Sequence, residues 1–150
     1  FQEPDSMNAR NGQAGFALLE MVSAILIIAI LSVIYFLMID SYRERRMSEQ
    51  AAKALMLAAR AQEEYFAREH RYFDAEVSSK SKDSNLNFPG GTKTNVVVPM
   101  GVTLHLKTRG PERSAFTGEA FYGGSKIVHK YDSEYGRIAT QHRGQGEGNE

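Results

Sequence analysis

The sequence predicts an α+β chain in which one long N-terminal transmembrane and amphipathic helix packs on a small antiparallel sheet. Three observations carry this reading. Gly15 to Ile39 (GFALLEMVSAILIIAILSVIYFLMI) is apolar for about 24 residues apart from Glu20, long enough as a helix to cross a hydrocarbon core of about 30 Å. Met47, Ala51, Ala54, Ala58, Ala61 and Tyr65 then recur at alternating spacings of four and three, the stripe of an amphipathic helix. From about residue 95 onward, short β-branched or alternating segments separated by glycine and proline read as closely spaced strands.

No glycine or proline interrupts Phe16 to Glu69, so span and stripe join into one helix. At about 1.5 Å per residue it would be roughly 80 Å long. Its inner part needs lipid or other helices around it. From about Ala51 the alanine stripe is expected to pack on the sheet of its own domain, so it does not by itself show oligomerisation. Glu49, Lys53, Arg60, Glu63 and Glu64 take the remaining positions. A charge within an apolar span costs roughly 2.5–3.5 kcal/mol on insertion scales, so Glu20 reads as a functional group that requires a partner. The aromatic series Tyr35, Phe36, Tyr42, Tyr65, Phe66, Tyr72 and Phe73 fits interface anchoring and head packing.

Ser78 to Asn95 has the Ser, Lys, Asn and Gly content of a loop, with a turn at Pro89-Gly90-Gly91. Strands are expected at Asn95 to Pro99, Val102 to Lys107, Ala115 to Tyr122, Lys126 to Tyr131 and Arg137 to Thr140, in an antiparallel meander. Val102, Leu104 and Leu106 mark one face of the second of these. Residues 141–150 carry glycine and charge with almost no apolar residue, the composition of a disordered tail.

The 150 residues allow one small soluble domain beside a membrane segment. Formal net charge is zero, which gives no bulk electrostatic case for nucleic acid. With no cysteine, disulfides, thiol nucleophiles and cysteine metal sites are excluded. His70, His105, His129 and His142 make no metal-binding spacing, and His105 and His129 read as solvent-facing strand residues. Asp83, Asn85 and Asn87 mimic the opening of a calcium loop, but Phe88 and Thr94 stand where its glycine and closing glutamate belong, so they read as turn formers. Ser114 and Ser125 have no nucleophile elbow, and Gly90-Gly91 and Gly123-Gly124 lack a phosphate-cradling pattern. No enzyme and no cofactor is expected. The basic cluster Arg43, Arg45 and Arg46 suits lipid headgroups or neighbouring acids.

Gly15, Phe16, Leu18, Leu19, Glu20 and the apolar run to Ile39 together resemble the N-terminus of prepilins of the type IV pilin and pseudopilin superfamily. Ala61 to Asp74, where a paired aromatic leads through a short polar step to Arg-Tyr, is similar to the helix end of the same proteins. The resemblance implies a pilin-like fold with a leader at 1–15, a transmembrane and assembly half of the helix at 16–39, an amphipathic half at 40–74, a globular antiparallel-sheet head at 75–140 and the tail at 141–150. It implies cleavage between Gly15 and Phe16, N-methylation of Phe16 and a role in assembly for Glu20. The chain opens on Phe1, and Met7 is read as the initiator. An uncleaved signal anchor is the alternative to processing at Gly15.

The implied function is that of a structural subunit of a type IV pilus-like filament, with a type II secretion pseudopilin as the alternative. Partners would be copies of itself or related pilins, prepilin peptidase, an inner-membrane assembly platform and membrane lipid. The precursor would sit in a bacterial inner membrane with its head in the periplasm, before joining an extracellular or periplasmic filament. Charge counting alone disagrees, since three arginines follow the span and only Arg10 precedes it closely. Two departures from the pattern point away from a major adhesive pilin: Leu37 stands where many pilins carry a helix proline, and no cysteine pair closes a C-terminal loop. A single-pass membrane-anchored periplasmic binding protein is the reading of another class.

Overall fold

A computed structural model describes the backbone of residues 8–144 and the side chains of residues 17–144. Met7 and the tail beyond Gly144 lie outside the described residues. The chain divides into two compact units, one ending at Tyr42 and the other beginning at Arg43. A single α-helix, α1 (Asn8–Glu69), supplies the first unit and continues into the second. It is helical through Leu37, as a stretch free of proline and glycine allows. It also extends further towards the N-terminus than expected, from Phe16 back to Asn8. At its other end His70 adopts φ 54° and donates its N–H to the Phe66 carbonyl at 2.8 Å, a left-handed stop that glycine more often provides.

The second unit adds seven strands: β1 (Ala75–Ser78), β2 (Ser84–Leu86), β3 (Val96–Val98), β4 (Val102–Arg109), β5 (Ala115–Tyr122), β6 (Ile127–Asp132) and β7 (Arg137–His142). β1, β4, β5, β6 and β7 form an antiparallel sheet in that order, and β2 pairs with β3 in a second, two-stranded sheet. The meander is therefore β4 to β7, with β1 added at its edge. Three sequence expectations change. The segment read as a loop from Ser78 holds β2, whose Leu86 pairs with Val96. β1 forms by pairing Ala75 with Leu106 and Val77 with Leu104. Gln141 and His142, placed in the disordered tail by composition, close β7 opposite Val128 and Ile127.

The alanine stripe is buried as expected. Ala51, Leu55, Ala58, Ala61 and Tyr65 meet Val102, Leu104, Leu106, Phe116 and Ala120 from the inward face of the sheet, and Leu86, Phe88, Val96 and Val98 extend the core. Small side chains let helix and sheet approach closely, and Gly118 is one point of close approach. A Cβ there would lie 2.6 Å from Leu55 Cδ1 and 3.1 Å from Leu106 Cδ2. Aromatic rings close the end where α1 stops. Tyr72 lies between Phe66 and Phe116, with ring centroids at 4.5 and 4.8 Å, and Tyr65, Phe73 and Phe88 pack within 6.0 Å of one another.

Polar side chains tie the same end together. Gln62 is fully buried, accepts the Phe73 N–H at 3.0 Å and donates to the Phe73 carbonyl, so it satisfies both backbone groups where the chain leaves the helix. Glu64 accepts from the Thr94 hydroxyl and from the N–H groups of Lys93 and Thr94 at 2.5 to 3.1 Å. Arg68 donates to the carbonyls of Gly90 and Gly91. The Thr94 hydroxyl bond is the main reason the Glu64 carboxyl is held below the usual carboxylate range.

Candidate functional site

Among the described residues, the first unit is exposed throughout. Every large apolar residue from Leu18 to Ile39 is exposed, Phe36 by 73% and Leu19 by 70%. The helix is long and apolar enough to cross a membrane. Its serine hydroxyls are turned inward on the backbone. Ser23 donates to the Glu20 carbonyl at 2.8 Å and Ser32 to the Ile28 carbonyl at 2.7 Å, which leaves little hydroxyl polarity facing outward.

Glu20 stands apart from this pattern. It is the one acid between Ala17 and Ile39, it is exposed, and its carboxylate has no hydrogen-bond or ion-pair partner among the described residues. Gly15 and Phe16 lie in the helical backbone ahead of it, so Phe16 and Glu20 are one turn apart on the same helix face. Within an α-helix a cut before Phe16 would leave the new amine about one 5.4 Å pitch from the level of Glu20. A basic ring follows the span: Arg43, Arg45 and Arg46 are all exposed.

The head carries no comparable constellation. Among the described residues no group of three or more His, Cys, Asp or Glu could hold a metal ion. Asp83 accepts the Met100 N–H at 2.8 Å, and Asn85 pairs with Val97 inside β2. Ser125 is buried, and its hydroxyl accepts the Ile127 N–H at 3.0 Å. His105 is half-buried, its side chain 41% exposed, 3.9 Å from Glu76 and stacked on Phe121.

His129 corrects its sequence reading. It is only 9% exposed and faces α1, with Nε2 at 2.9 Å from the Ser48 hydroxyl and Nδ1 at 3.2 Å from the Thr140 hydroxyl. It also does not face His105, because β5 runs between their strands. Burial lowers its pKa from the ordinary value of 6.5, with hydrogen bonding to Ser48 opposing. The neutral imidazole is thus favoured in the folded state and protonation is favoured in the unfolded one. Stability from this group is present above about pH 6.5 and declines as pH falls from there through the lowered native value. In urea titrations of the full chain in detergent, His129→Gln should flatten the loss of midpoint between about pH 6.5 and 5. Parallel profiles for the two proteins would assign that loss to other groups.

These features define an α+β protein with one exposed helix long and apolar enough to cross a membrane and one acid near the start of its apolar run. Residues 10–36 match a family model described as the prokaryotic N-terminal methylation motif. That motif is the prepilin signature of type IV pilins and pseudopilins; it supports a pilin- or pseudopilin-like protein and, together with the long apolar helix, a membrane-anchored precursor. The motif implies processing by prepilin peptidase and assembly into a filament, and points to a structural rather than a catalytic protein. No curated protein and no solved structure matches the chain.

Proposed function

We propose that the chain is a structural subunit of a type IV pilus-like filament. Prepilin peptidase cuts between Gly15 and Phe16, the new Phe16 amine is methylated, and the subunit polymerises through α1. The membrane-stored precursor keeps its head on the periplasmic side until an inner-membrane assembly platform adds it to copies of itself or related pilins. The observation that carries this is Glu20, an exposed carboxylate one turn beyond the cut on a surface otherwise built for lipid or for other helices.

N-terminal sequencing of the mature protein tests the reading. A methylated phenylalanine at the start supports it, whereas an intact leader favours a single-pass anchor for a periplasmic binding head. Cleavage beside a lipid-embedded helix needs a small residue at the scissile bond, so Gly15→Val should block processing. The longer form should then accumulate in the membrane, and unchanged gel mobility of the product would count against cleavage there.

A second reading, a type II secretion pseudopilin, draws on two features. α1 continues unbroken through Leu37, and the chain has no cysteine. Cross-linked fractions from a strain with only its pilus system or only its secretion system would separate the two readings.

A further inference from the structure

We infer that the head carries a docking surface for anionic phospholipid headgroups, formed where Arg43, Lys80 and Met100 line one groove. The inference rests on the reading that residues 16–39 cross a membrane. The groove has a volume of about 530 Å³ and also takes in Gln50, Asp83 and Tyr122. It brings α1 together with the turn after β1 and the turn between β3 and β4, segments separated by up to about sixty residues in sequence.

Charge and position select the occupant. Arg43, Arg45, Arg46, Lys80 and Lys82 are all exposed. Against them stand Asp40 and Glu49, both exposed, Glu44, which is half-buried, and Asp83, whose Oδ1 already accepts the Met100 N–H at 2.8 Å; within the groove itself two cations, Arg43 and Lys80, face one acid, Asp83. Met100 is 46% exposed beside these cations, an apolar tip within a basic rim. Arg43 follows Ile39 by four residues, about 6 Å along the helix. The headgroup layer on each face of a bilayer is about 5–8 Å thick. Arg43, at the edge of the groove, therefore follows the apolar run by about one helical turn. Basic residues beside a span are attracted to anionic lipid over about a Debye length. A head seated in this way gives the arginine cluster a partner on whichever side of the membrane the head resides.

The chain has no cysteine, so Met100→Cys creates a single labelling point. The full-length variant carries an environment-sensitive fluorophore there and is placed in nanodiscs of phosphatidylcholine, with or without phosphatidylglycerol. Phosphatidylglycerol should shift the emission to the blue and protect the label from an aqueous quencher. Both effects should disappear in 1 M salt, where the Debye length is about 3 Å. They should also disappear when Arg43→Gln, Arg45→Gln, Arg46→Gln and Lys80→Gln are combined, and persist when the three arginines become lysines. Thermal unfolding of each variant reports whether the head is intact.

Identical emission in both lipids, or a shift that survives neutralisation in a folded variant, overturns the proposal. So does a shift that appears only as more subunits occupy one disc, which assigns the face to a second copy. A chain that enters discs without a lipid-dependent shift overturns the docking alone. A chain that fails to enter them overturns the membrane-crossing reading as well.

Discussion

Glu20→Ala is expected to insert into the membrane at wild-type levels or above and to vanish from the filament fraction. Removing a charge from an apolar span lowers the cost of insertion, so anchoring does not suffer. Assembly is different. In a monomer the Glu20 carboxylate can meet the amine of its own Phe16, one turn away. In a filament the same carboxylate can meet the Phe16 amine of the subunit already in place. Such a pair has a depth and a direction, so it sets the axial stagger between apolar helices that would otherwise slide. Buried charges of this type are better attested as register devices than as sources of stability. A loss of only about 1.4 kcal/mol at each contact lowers association about tenfold, and a polymer repeats that loss at every subunit. Glu20→Asp, with its shorter reach, should be intermediate. The measurement compares membrane levels with sheared or cross-linked filament for the three forms. Wild-type incorporation of the alanine variant would remove Glu20 from assembly and favour the monomeric anchor.

The second large effect is in the head. Leu55 is fully buried and packs against Gly118, where a Cβ would meet its side chain at 2.6 Å. Leu55→Ala removes its side chain from the contact between both layers and should cost about 2–5 kcal/mol. For a head of this size that corresponds to a fall in melting temperature of about ten degrees or more. Met56, the next residue, is 63% exposed, and Met56→Ala should stay within about 0.5 kcal/mol of wild type. Thermal unfolding of both variants in detergent checks the contrast. Equal losses would mean that the stripe is not what joins helix to sheet.

The parts legible from sequence are those whose signals are local. The apolar run, its lone acid and the three-four stripe of alanines each announce themselves within a turn or two of helix. β5 occupies the expected residues because Gly110-Pro111 and Gly123-Gly124 bracket it. What escaped depends on partners far along the chain. Ala75 to Ser78 is too short and mixed to read as a strand, and becomes one only because the edge of β4 is available. His129 looked solvent-facing because polar residues on strands usually are. Its burial follows from the register that sets it opposite Ala120 on the inward face, with Ser48 arriving from the helix. Glu64 reads as an ordinary member of a polar helix face, and no local pattern singles out Gln62 or Arg68. Their roles depend on where the chain after β1 returns, which no local pattern encodes.

The grip of Glu64 and Arg68 on residues 90–94 has a consequence for how the head is made. The segment is fastened to the helix end by hydrogen bonds, two side chains reaching backbone groups and one hydroxyl. A reductant has nothing to act on here, and an oxidant has nothing to add. Concentrated salt and acid are the agents that loosen it, through the charges of the arginine and the carboxylate. Maturation of the head then needs no thiol-handling enzyme, so its yield should be the same whether or not the surrounding compartment can form disulfides.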